Sequence, residues 1–223
     1  MKAILSIFLA ASLVASCSTP TQPTPSPPAA LAQATVPVPV QGPVLQVDPR
    51  RSLVTVRVYR GGPLARLGHD HVIASHDVSG FVATKTGYAE LAVPLAQLTV
   101  DEPALRTAAG WAPEVAPDAI AGTRHNMQVK VLQVARYPAA QIRITRRDLA
   151  GPGLEVALTL HGVTHTETVQ ATITTPSPRE MVVTGRLTLH QSDYGITPLS
   201  VMGGALQVQD AVDVDFSITA SLL

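Results

Sequence analysis

Val54, Val56 and Val58 alternate with Thr55, Arg57 and Tyr59. The same period of two runs through Leu154, Val156, Leu158 and Leu160 against Glu155, Ala157 and Thr159, and through Val212, Val214, Phe216 and Ile218 against Asp213, Asp215 and Ser217. Successive side chains of an extended chain point to opposite faces, so each run describes a strand with one apolar and one wet face. Val169, Ala171 and Ile173, then Val183, Gly185, Leu187 and Leu189, continue the pattern. Gly61-Gly62-Pro63, Thr86-Gly87, Gly151-Pro152-Gly153, His161-Gly162, Pro176-Ser177-Pro178 and Gly203-Gly204 punctuate it as turns. The pattern predicts eight strands, at 51–60, 70–83, 87–94, 140–148, 154–162, 165–175, 181–192 and 208–220.

The interval 95–139 is too long for a structureless loop inside a compact domain. Ile120, Met127, Val131 and Val134 recur in it at helical spacing behind Pro117-Asp118, predicting a helix over 117–133, with a shorter helical turn near Glu102 to Ala109. Trp111, the single tryptophan, falls in this crossover, where it could cover a barrel end. Eight antiparallel strands with one helical excursion give a mainly β fold closed into a barrel, whose interior is either filled by side chains or holds one small ligand. An aromatic content of 4% and many small side chains favour a cavity. By apolarity, the inward positions are Val54, Val56, Val58, Leu91, Leu158, Leu187, Val214, Phe216 and Ile218. The plainer alternative is that these residues form a closed core.

The first 44 residues follow a different pattern. Met1-Lys2 precedes the mainly apolar run Ala3–Val14, too short for a spanning helix and suited to the core of a secretory signal. Val14-Ala15-Ser16-Cys17 then resembles the lipobox of bacterial lipoproteins, and Cys17 is the only cysteine in the chain. This makes 1–17 a lipoprotein signal peptide with Cys17 as the acylated residue. Ser18, in place of Asp, points to the outer membrane. Residues 18–44 carry no charge and eight prolines, the composition of an extended tether. The domain proper then occupies 45–223.

Charge and composition narrow the function. Sixteen basic and sixteen acidic side chains leave a formal net charge of zero, without the basic excess that phosphate backbones require. One cysteine rules out an intramolecular disulfide framework and a Cys-rich metal site. There is no Gly-x-Ser-x-Gly elbow, His-Glu-x-x-His pair or phosphate loop, so the chain reads as a non-enzyme. His69 and His71, two apart on a predicted strand, share a face and could chelate a divalent metal, with a third ligand from His76, His161, His165 or His190. The competing assignment for His69 and His71 is a polar rim at the mouth of the barrel.

Several ordered motifs carry a resemblance. Val47-Asp48 followed by Ser52-Leu53-Val54-Thr55-Val56, Gly80-Phe81, and Ala135-Arg136-Tyr137-Pro138 followed by Ile142 appear in sequence order. Leu158-Thr159-Leu160-His161-Gly162-Val163-Thr164, Ser192-Asp193-Tyr194-Gly195-Ile196 and the closing stretch Asp210–Ile218 follow. Over nearly all of 45–223 the chain resembles the YceI family of bacterial periplasmic proteins. The resemblance implies a lipocalin-like eight-stranded barrel with an apolar channel for polyisoprenoid-type lipids, and an association with cytochrome b561-type membrane proteins. Two departures concern the head-group end. Thr123-Arg124-His125-Asn126 stands where the family has Arg-Asp-x-His, and Gln191 replaces a basic residue.

The sequence therefore predicts a periplasmic, outer-membrane-anchored lipid binder that needs no cofactor. It would hold an isoprenoid lipid, either a quinone or a polyprenyl lipid. The nine inward residues would form the channel, and His69, His71, Arg124, His125 and His161 the head-group rim. The alternatives are a periplasmic metal-binding protein using His69 and His71, and a non-catalytic envelope interaction protein with a filled barrel.

Overall fold

The computed structural model describes residues 42–145 and 153–222. The signal peptide, Cys17, nearly all of the tether and the end of the predicted fourth strand lie outside them.

Eight antiparallel strands close into a barrel. β1 runs over Val44–Val47 and resumes at Leu53–Gly61; β2 runs over His71–Ser75 and resumes at Ser79–Ala83. β3 is Tyr88–Pro94, β4 Ala139–Thr145, β5 Gly153–Leu160, β6 Val163–Ser177, β7 Glu180–His190 and β8 Leu206–Ser221. Each strand pairs with the next in sequence, and β8 returns to β1 through Val214↔Val56 and Gln46↔Ser221. The predicted strand order holds, with the first strand beginning earlier than the alternation suggested.

The breaks in β1 and β2 have local causes. Asp48-Pro49 opens a 3-10 turn over Pro49–Arg51, because proline lacks the ladder N–H and the Asp48 carboxylate accepts the N–H of Arg50 at 3.1 Å. In β2 the chain turns at 76–78, burying Val78, and resumes at Ser79, with Gly80 at φ 137°. A Cβ at Gly80 would stand 2.0 Å from the carbonyl oxygen of Glu90, so only glycine permits this approach between β2 and β3. His161 and Gly162, both at positive φ, make the tight turn between β5 and β6, and the hydroxyls of Thr159 and Thr164 meet across it at 2.7 Å.

The crossover contains α1, Pro103–Ala108, and α2, Pro117–Asn126, which continues as a π-helical turn over Met127–Val131. Met127, Val131 and Leu132 point into the barrel. The loops 61–71, 94–139, 160–163 and 190–206 all leave the barrel at the α2 end, as the antiparallel registers require.

The outward face of the β1–β8–β7 ladder explains the polar half of the alternation. Arg57 pairs with Asp215 at 3.0 Å, Arg186 bonds the same carboxylate, and Asp213 accepts from Tyr59 at 2.7 Å and Thr188 at 2.8 Å. Trp111 lies on this outer surface rather than over a barrel end. Its ring meets that of Tyr59 edge-on at 6.0 Å, with the Arg106 guanidinium 5.7 Å from its centre. Because Tyr59 alternates with the inward valines, its partner Trp111 is carried outside.

Candidate functional site: an apolar barrel cavity

The barrel encloses a cavity of about 430 Å³, within the range of small-molecule sites. All nine residues read as inward from apolarity lie on its wall: Val54, Val56, Val58, Leu91, Leu158, Leu187, Val214, Phe216 and Ile218. A packed cluster that includes Leu45, Ile73, Val78, Val93, Leu95, Leu98 and Ile218 adjoins them, and all of these but Leu45 also line the cavity. The interior is therefore part core and part cavity.

The rim residues divide. His71 lines the cavity, whereas His69 is exposed and Arg124 and His125 are exposed on α2. The helical phase instead brings Thr123, Asn126 and Met127 to the wall; positions three and four apart share a face, and Arg124 and His125 fall between them. His161 lies off the wall, its ring 4.3 Å from that of Tyr137 and its Nε2 buried without a hydrogen-bond partner among the described residues.

His71 is fixed by a buried ionic cluster. Its Nδ1–H donates to Asp101 Oδ2 at 2.5 Å, leaving Nε2 3.5 Å from Thr123 Oγ1. Asp101 Oδ1 also accepts the N–H of Val72 at 3.0 Å and the Nη1–H of Arg106 at 2.8 Å. Burial would push the Asp101 carboxyl up, but the bonds from His71, Arg106 and Val72 outweigh it and hold the group below its usual range. Arg106 further donates to the carbonyls of Ala112 and Asp70, at 2.6 and 2.8 Å, tying α1 to the start of β2.

The metal reading finds its pair but not its set. The His69 and His71 rings sit 5.3 Å apart, and burial, followed by the neighbouring His71, lowers the His69 pKa. His76 is bound to Glu102 at 2.9 Å, His165 packs on Tyr194, and His190 lies 3.5 Å from Asp210. Among the described residues no group of three or more His, Cys, Asp or Glu side chains is arranged to hold a metal.

Two polar wall residues were not singled out from the sequence. Glu167 faces inward on β6, at the same parity as Val169 and Ile173, and Tyr194 enters from the 3-10 turn Gln191–Tyr194. Tyr194 is 1% exposed, and its hydroxyl has no hydrogen-bond partner among the described residues. Burial first, then the charges of Glu167 and Asp193, push its phenol up to about 12, so it is a neutral donor at physiological pH.

A family sequence model described as the YceI-like domain matches residues 45–220. The chain belongs to the YceI-like family. Two solved structures share the fold of this YceI-like barrel. One is a polyisoprenoid binding domain from Saccharophagus degradans implicated in plant cell wall breakdown, at TM-score 0.57 and 17% identity, covering 80% of this chain and 98% of that one. The other is Burkholderia cenocepacia BcnA, at TM-score 0.52 and 14% identity, covering 78% and 99%. No curated protein matches the chain.

Proposed function

We propose that this YceI-like protein is a non-catalytic, membrane-tethered periplasmic binder that sequesters or carries an isoprenoid amphiphile, a quinone or a polyprenyl lipid. The observation that carries this reading is the cavity, whose wall is built largely from aliphatic side chains, joined by Phe216 and Met127 and by a few polar residues. Burying a hydrocarbon tail there is worth roughly 25 cal/mol per Å² removed from water, without specific polar contacts. The polyisoprenoid binding domain of similar fold supports the same ligand class.

In this account Cys17 carries the acyl chains, Ser18 directs the protein to the outer membrane, and residues 18–44 reach outward at about 3.1 Å per residue when extended. The tether keeps the cavity within reach of membrane lipid and of a membrane partner such as a cytochrome b561-type protein. Solvent extraction of protein purified from the cell envelope without detergent tests the reading. A stoichiometric prenyl-chain lipid is the expected yield, and a solvent extract free of lipid would contradict it.

A further inference from the structure

Glu167 is an unusual occupant of this wall. Among the described residues no lysine or arginine lines the cavity to balance its charge, and that charge is felt by the phenol of Tyr194. Tyr194 stands beside it. Its ring meets that of His165 at 5.1 Å, and His165 and Glu167 occupy successive inward positions of β6. The turn that carries Tyr194 is built independently of its hydroxyl. Ser192 is held by Asp210 through its N–H at 2.8 Å and its hydroxyl at 2.6 Å, and Gly195 ends the turn at φ 66°. Gln191, also on the wall, gives its amide N–H to the carbonyl of Gln209 at 2.9 Å. The scaffold thus leaves one half-buried carboxylate and one buried, unpartnered hydroxyl donor on the wall of a largely aliphatic chamber, and a buried hydroxyl of this kind calls for a partner.

We propose that Glu167 and Tyr194 form a head-group subsite that selects hydroxyl-bearing amphiphiles, polyprenols and hydroquinones, over phosphorylated ones. The assignment rests on the isoprenoid-binding reading above and narrows its ligand. A ligand hydroxyl donates to the Glu167 carboxylate and accepts from the Tyr194 O–H, satisfying both with one atom pair. A phosphate head brings negative charge to Glu167 and finds no lysine or arginine among the described wall residues. An ether or oxidised quinone accepts from Tyr194 but leaves Glu167 unpaired.

Three probes with the same tail test this: farnesol, farnesyl methyl ether and farnesyl phosphate, titrated calorimetrically into delipidated protein. Wild type is expected to bind farnesol about tenfold or more tightly than the other two. Tyr194→Phe and Glu167→Gln, both near-isosteric, are expected to bring the three affinities within about threefold of one another while tail binding persists. Equal affinities in wild type, or a farnesol preference that survives both substitutions, would overturn the subsite and leave the isoprenoid reading standing. Folded wild type that binds none of the three would overturn the isoprenoid reading and the subsite together.

Discussion

Phe216 lies directly across the β7–β8 ladder from Gly185, its ring over the glycine. A Cβ at Gly185 would stand 2.5 Å from Phe216 Cζ and 2.9 Å from the carbonyl oxygen of Gln170. The missing side chain is thus the seat of the one phenylalanine among the described residues of the cavity wall. Gly185→Val must drive the ring inward, because the Gln170 carbonyl belongs to the neighbouring strand and has little room to move. Overpacking of this kind costs about 1–3 kcal/mol. Urea unfolding should show that loss together with a lower lipid content, and unchanged values of both would contradict this role for the pair.

The Asp101 cluster sets an acid dependence. A carboxylate held below its unfolded value stabilises the fold above about pH 4 and loses that contribution as pH falls through its folded value. Asp101→Asn removes the negative charge facing Arg106 and turns one of the two accepting oxygens into an NH2 donor that opposes His71 or Arg106, a loss of about 3–5 kcal/mol at pH 7. The gap between wild type and variant should be narrower at pH 3 than at pH 7, because below about pH 4 the unfolded wild type takes up a proton that the folded carboxylate resists. Urea midpoints at the two pH values measure this, and a gap independent of pH would refute the assignment.

Leu158 lies on the wall, and aspartate there would place an unpaired charge in an aliphatic cavity. Leu158→Asp is expected to fold with reduced stability and to retain no lipid. Wild-type lipid content in a folded Leu158→Asp protein would count against a cavity that holds the tail.

Acylation at Cys17 predicts that Cys17→Ser moves the protein from the membrane pellet to the soluble periplasmic fraction. Fractionation of cells expressing each form decides this, and an unaltered pellet would contradict the anchor.

The barrel was legible because period-two alternation reports only which face avoids water, and that is what selects the wall; Val54, Leu158 and Phe216 needed no further information. The break at Asp48-Pro49 was missed because strong alternation on its far side began the count at 51. Arg124 and His125 were chosen from motif position, but α2 rather than motif order decides which side chains reach the cavity, and it presents Thr123 and Asn126. Glu167 was readable in principle, two residues before Val169 on the same face. Asp101 was not, because its bond to His71 joins residues 30 apart through tertiary contact alone.

The most direct measurement is native mass spectrometry of the mature protein purified from the envelope without detergent, wild type beside Leu158→Asp. The account predicts a wild-type adduct of several hundred daltons that extracts into organic solvent as a prenyl lipid, and a bare Leu158→Asp protein. A bare wild-type mass, or an adduct equally present in the folded variant, would contradict a lipid-binding cavity.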